Sequence, residues 1–348
     1  MSDGGDVGSP HAGIVVHESF RLGDLIYLGA VLATLRAQAP SVPISVVVSG
    51  LGRQFPFFER IDVRLIHLTV PWERSDWMRT PLRTLMALLQ SAIGLRKAVG
   101  RSLLVDARGD IRHVGLAVLA GCRTLSSLSP LSWNRLRGVA NRHVFLERTE
   151  LLWRLQDHLG LPRTSPKWPW IPSTQRASSD SSVPRLVVFA PGASADLRRW
   201  DPSKWESLAS ILREEGLRVV SIREPNGRNE SPPPTEHEWS GSIEDLGSFL
   251  ASAHLVVSVD SFVGHLAAAV GTPTLTLFGP QLPELWRPWG ESARHVIVEP
   301  FSCRPCDQRR CVRPGESCMD LLSVLAAARA AMDCLNAPSP STGREPTG

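Results

Sequence analysis

The chain has 348 residues, 43% of them hydrophobic, and its 38 basic and 34 acidic side chains leave a formal net charge of only +4. That length is too great for one ordinary core and fits two domains of roughly 150 residues each. So small a charge excess argues against a nucleic-acid groove, and no apolar run approaches the roughly 20 residues needed to cross a bilayer. Met1 to Gly13 is rich in Gly, Ser and Asp and lacks the basic and apolar regions of a signal peptide, so a cytoplasmic protein is expected. In that compartment the six cysteines read as thiols or metal ligands and not as disulfides.

Ile14 to His17 reads as a short buried strand and Leu25 to Gln38 as a helix that stops before Pro40. Ile44 to Val48 and Val63 to Leu68 are the next strands. Pro81 to Gly100 is a long amphipathic helix feeding a strand at Ser102 to Asp106, and Ile111 to Ala120 and Leu151 to Leu159 are helical. Strands alternating with helices imply parallel βαβ units. Leu161 to Pro184 breaks the rhythm with five prolines and a Ser-rich run, which marks a linker. The expected division is therefore a first domain over 1–160, a linker over 161–184, a second domain over 185–335 and a disordered tail over 336–348.

After the linker the pattern restarts with a strand at Leu186 to Ala190, a helix at Pro202 to Glu215 and a strand at Leu217 to Ile222. Asp201-Pro202 has the form of an N-cap followed by proline at the first helical position. Ser242 to Asp245 has the spacing of a capping box ahead of a helix at Ile243 to Ala253. A β-branched strand, Leu255 to Val259, then ends on Asp260-Ser261 and turns directly into an Ala-rich helix carrying His265. Another strand follows at Thr274 to Phe278, and a last helix runs from about Met319 to Leu335. In an open α/β sheet, ligands sit beyond the carboxyl ends of the strands. A helix starting there offers free backbone N–H groups to a phosphate. Asp260 can accept from a sugar hydroxyl with His265 one turn on, which gives half of a nucleotide-sugar site.

Four further features invite chemistry. Asp24, after the first strand, reads from spacing alone as a helix cap or as a general base. Arg198 and Arg199, after the Pro191-Gly192-Ala193-Ser194 loop, can neutralise a diphosphate or can simply edge a solvated loop; Trp200 and Trp205 read as packing residues. Cys303-x2-Cys306-x4-Cys311-x6-Cys318 can enclose Zn or Fe, or can be reduced thiols packing a loop. Trp72, Trp77 and Met78 with Arg74, Arg79 and Arg83 form either a membrane-surface patch or an ordinary amphipathic surface. Gly50-Leu51-Gly52 lacks the third glycine of a dinucleotide loop.

Three segments taken together resemble glycosyltransferase family 9, the heptosyltransferases. They are Arg21-Leu22-Gly23-Asp24, Phe189 to Ser194 with Arg198-Arg199-Trp200, and Asp260 to His265, closed by Gly271-Thr272-Pro273. The likeness runs from about Ile14 to about Met332. It implies an α/β fold of the GT-B architecture, two Rossmann-like domains facing across a cleft, with the acceptor on the first and the nucleotide sugar on the second. The implied reaction is inverting, metal-independent transfer of a sugar, heptose from ADP-heptose in this family, to a hydroxyl of a lipopolysaccharide core or related surface glycan. No cofactor is required for that catalysis, and peripheral contact with the inner membrane is implied.

By the same resemblance Asp24 is the base, and Gly192, Ser194, Arg198, Arg199, Asp260, Ser261 and His265 bind the donor. Glu224 or Glu230 faces ribose, with nothing to choose between the two. The family has lysine where Arg198 stands and glycine where Phe262 stands. Many members share the four-cysteine pattern, whose metal would be structural. The rival readings are a related enzyme using another nucleotide sugar on a protein or natural-product acceptor, an oxidoreductase with two Rossmann domains, and a non-enzymatic scaffold.

Overall fold

The computed structural model describes residues 13–18, 22–48, 50, 52, 55–73, 79–107, 111–126, 144–171, 177, 180, 182–223, 237–298, 301–306 and 310–337. The chain divides into two compact units, Met1–Lys167 and Trp168–Gly348. Glu224, Glu230, the Arg74 to Met78 segment and the C-terminal tail beyond 337 lie outside the described residues.

The first unit is built on five parallel strands: β1 (Ile14–His17), β2 (Ile44–Val48), β3 (Arg64–His67), β4 (Leu103–Asp106) and β5 (Thr124–Ser126). Their order is β3-β2-β1-β4-β5, with Ile14 opposite both Ile44 and Leu103. The Val/Ile runs of β1 and β2 are buried because parallel strands carry helices on both faces. Among the described residues four helices accompany them: α1 (Leu22–Gln38), α2 (Pro81–Val99), α3 (Ile111–Leu119) and α4 (Val144–His158). Helix α1 is buried at every position from Leu25 to Leu35, as its almost unbroken apolar sequence requires, and it packs against α4. It also begins three residues earlier than its apolar periodicity suggested, so Gly23 and Asp24 belong to the helix and not to the loop before it.

The second unit holds six parallel strands: β6 (Leu186–Ala190), β7 (Arg218–Ile222), β8 (Glu238–Trp239), β9 (Leu255–Val259), β10 (Thr274–Phe278) and β11 (Ala293–Ile297). The order is β11-β10-β9-β6-β7-β8. Its helices are α5 (Pro202–Glu214), α6 (Ile243–Ala251), α7 (Phe262–Ala269), the single turn α8 (Pro283–Trp286) and α9 (Val324–Asn336). Trp200 and Trp205 meet edge to face at 5.3 Å inside the core formed by β6, β7, β9, β10, α5 and α9, so both are packing residues. Local chemistry fixes the helix starts. The Asp201 carboxylate accepts from the Ser203 N–H at 2.8 Å, and Ser242 and Asp245 complete a reciprocal capping box. The last helix starts at Val324 behind an N-cap at Ser323, later than its apolar pattern implied.

Together these give an α/β protein with two Rossmann-like domains, the GT-B fold class.

Candidate active site

In the second unit β6 leads to β7 and β8 on one flank, while β9 lies on the other flank with β10 and β11 beyond. The chain reverses its winding between β6 and β9, and the crevice beyond their carboxyl ends is where an open α/β sheet binds its ligand. The loop after β6 closes with a 3-10 turn at Asp196–Arg198. From it Arg198 extends to β9, where its Nη1 donates to the Asp260 carbonyl at 3.2 Å and lies 3.4 Å from Asp260 Oδ2. Both side chains are largely buried, so this pair feels little solvent screening. Arg199 does something else. Its Nη2 donates to the Ala193 carbonyl at 2.7 Å and its Nε stands 3.5 Å from Asp196, so it braces its own loop.

Helix α7 starts directly behind Asp260. Ser261 occupies the N-cap with extended backbone, yet its side chain does not cap the helix, and its buried Oγ has no hydrogen-bond partner. A hydroxyl placed so at a helix N-terminus can donate to an anion. His265 is buried one turn further on. A Cβ at Gly264 would stand 2.5 Å from Ser258 Oγ and 3.3 Å from Pro288, so only glycine lets α7 settle this closely on β9. Gly192 is half-buried and Ser194 exposed in the loop after β6. Residues from β6, β9 and α7 thus converge on one switch point.

The first unit repeats the arrangement. Its winding reverses between β1 and β4, and α1 starts beyond β1 with Asp24 in its first turn. The half-buried carboxylate therefore sits at the positive end of the helix dipole. The carboxyl ends of β1 and β4 and the first turn of α3 carry a buried polar group that was not foreseen. His17, Glu18, Asp106 and His113 are each 2% exposed or less. The rings of His17 and His113 stack at 4.1 Å, and His113 Nδ1 stands 3.5 Å from Asp106 Oδ1. Polar residues closing otherwise apolar strands were the signal available in the sequence. Trp72, itself half-buried, packs here too, 5.8 Å from His113 and under the Arg112 guanidinium.

The cysteine loop lies beyond β10. Cys303, Cys306, Cys311 and Cys318 line one pocket of about 170 Å³ together with Leu197, Phe301 and Arg304. The Cys306 N–H donates to the Pro280 carbonyl at 3.1 Å, Arg304 Nε donates to the Gly279 carbonyl at 2.7 Å, and Lys204 reaches the Met319, Asp320 and Leu322 carbonyls. Burial pushes the Cys318 thiol up, against the opposing pull of Arg304. All four thiols are free, and among the described residues no three ligating side chains gather as a metal set. Cys122 and Cys334 are half-buried thiols, and burial raises both.

Residues 239–315 match the model of glycosyltransferase family 9 (heptosyltransferase), a span that includes Asp260, Ser261 and His265. The chain is 27% identical over 323 residues to lipopolysaccharide heptosyltransferase 1 of Pseudomonas aeruginosa, covering 86% of this chain and 87% of that one. In fold it is similar to E. coli heptosyltransferase WaaC with ADP, with a TM-score of 0.64 at 19% identity over 92% of this chain and 99% of the other. It is also similar to the glycosyl transferase family 9 protein from Veillonella parvula, with a TM-score of 0.66 at 17% identity over 93% and 97%.

Proposed function

We propose that the chain is a member of glycosyltransferase family 9, the heptosyltransferases, and an inverting transferase moving heptose from ADP-heptose to a hydroxyl of a lipopolysaccharide core. One observation carries the donor half of this reading: Arg198 is held at the β6/β9 switch point beside the buried, unpartnered Ser261 hydroxyl at the start of α7. A diphosphate fits that chemistry, with a cation, a hydroxyl and helix N–H groups in one place.

In the proposed step Asp24 takes the proton from the acceptor hydroxyl as its oxygen attacks the anomeric carbon. The bond from that carbon to the diphosphate breaks, and ADP leaves with the bonding pair. Arg198 neutralises the charge that develops on the leaving group, while Gly192, Ser194 and Ser261 supply donors around it. Arg199 supports the loop. Asp260 holds Arg198 in place and, with His265, contacts the donor. A carboxylate in the segment holding Glu224 and Glu230 is the proposed ribose contact. The transfer uses no cofactor. The cysteine loop is assigned a structural role, as is any zinc or iron it took up.

The acceptor is lipid-anchored, which supports a cytoplasmic enzyme working at the inner face of the membrane. Among the described residues no helix is long and apolar enough to cross it. The test is incubation of the purified protein with ADP-, UDP- and GDP-sugars and an acceptor glycan, following nucleotide release. ADP release from ADP-heptose alone is the expected result. Release only from UDP- or GDP-sugars would keep the class and reject the donor, and Phe262 in place of the family's glycine is the residue to examine then.

A further inference from the structure

Helix α2 presents two apolar faces where a surface helix of a globular domain needs one. Its inner face is accounted for: Ala92, Leu95 and Val99 lie in the core of the first unit, and the buried Ser91 Oγ donates to the Thr69 carbonyl at 2.7 Å. Gly94 lets the helix come close to Leu68, whose Cδ1 would stand 3.2 Å from a Cβ there. These contacts fix the rotation of α2 about its axis. Its outer face nonetheless carries Leu82, Leu85, Met86, Leu89 and Ile93, from 47% to 79% exposed. At 3.6 residues per turn these five fall within an arc of about 100°, a continuous stripe and not scattered single residues. Val118 and Leu119 add a second exposed apolar pair on α3, which packs against α2.

The charges that α2 itself carries are all of one sign. Helix α2 contains Arg83, Arg96 and Lys97 and no carboxylate, and Arg79 and Arg101 flank it. A second copy docking through the same face would bring these cations against their own counterparts with no acid on the helix to pair them. An anionic lipid surface supplies what the face lacks, acyl chains for the stripe and negative headgroups for its rim. We infer that α2 is the membrane-docking surface of this chain, lying flat in the headgroup region of an anionic bilayer.

This deepens the function proposed above, which supplies the lipid-anchored acceptor; the surface itself rests on α2 alone. The test is flotation of the full chain with vesicles of phosphatidylcholine, with and without phosphatidylglycerol. Binding is expected with phosphatidylglycerol and should weaken in high salt. Leu82→Gln/Met86→Gln/Leu89→Gln should lower the bound fraction about tenfold or more, with an unchanged melting temperature and unchanged transfer to a detergent-dispersed acceptor. Arg83→Gln/Lys97→Gln should remove most of the preference for the anionic lipid. A wild-type chain that does not float, or a triple variant that floats equally well, overturns the inference. So does a wild-type dimer in sedimentation that the triple variant dissociates, if vesicles are not bound. Flotation without transfer from any nucleotide sugar would instead sink the enzymatic reading and leave the surface standing.

Discussion

The two switch points of this chain share a topology and differ in chemistry. Written from the other end, the second sheet runs β8-β7-β6-β9-β10-β11, the same winding as β3-β2-β1-β4-β5 with one strand added. In each unit the first strand and the strand beside it end at the crevice, and a helix starts there. In the second unit that place holds Arg198, the Ser261 hydroxyl and the start of α7, a set suited to an anion. In the first it holds Asp24, Glu18 and Asp106 with two stacked imidazoles, a set suited to accepting protons and hydroxyl hydrogen bonds. Winding decides where a ligand sits, and a few side chains at the strand ends decide which ligand it is.

The largest test of this contrast is to remove the proposed base from the acidic side. Asp24→Asn should lower turnover by roughly 10²-fold or more while ADP affinity stays nearly constant, measured by single-turnover kinetics and calorimetry. Loss of affinity with retained turnover would make Asp24 a binding residue and dissolve the division of labour. On the cationic side, Arg198→Ala should weaken ADP binding about tenfold or more, since hydrogen bonds to charged groups contribute roughly 1.5–3 kcal/mol. Arg199→Ala should weaken it much less because Arg199 braces its loop. Equal losses would contradict the assignment of Arg198 as the phosphate ligand.

Smaller effects sharpen the picture of how the cationic site is built. Gly264→Ala forces α7 away from Ser258 and should cost about 1–3 kcal/mol of stability in urea titration, with a parallel loss of ADP affinity. Asp201→Ala removes the cap of α5, just beyond Arg198 and Arg199, and should cost about 1 kcal/mol. Its hydrogen bonds from the Ser203 hydroxyl and N–H hold the Asp201 carboxyl below its ordinary value. The folded pKa lies under the unfolded one, so the contribution is complete above about pH 4 and is lost as pH falls through the folded value. The wild type and Asp201→Ala should therefore converge in stability in acid and differ near neutrality. Cys306→Ser should lower stability with no change in donor specificity. Elemental analysis of protein prepared without chelators settles the metal; less than about a tenth of an equivalent leaves the four cysteines as packing thiols.

Periodicity placed the long helices and the central strands because their apolar runs are long and their caps are local. Asp201-Pro202 and Ser242 to Asp245 need only their own few residues to form. The start of α1 was misplaced by three residues because Asp24 has the form of a cap in sequence, whereas the folded helix already begins at Leu22 and holds Asp24 in its first turn. Strands β5, β8 and β11 escaped notice because they are short or only half-buried; pairing with a neighbour makes them strands, and that neighbour is distant in sequence.

By itself, then, the sequence determined the alternation of strands and helices, the two-domain fold class, and the three segments that line the switch points. Each of these depends on residues within about one helical turn or one strand of each other. Tertiary structure alone decided that Arg198 and not Arg199 reaches Asp260, 62 positions away. It alone gathered His17, Glu18, Asp106 and His113 into one buried group, and it turned the leucine stripe of α2 outward. Those are contacts between segments far apart in the chain, set by strand order and helix packing, to which local sequence pattern is blind.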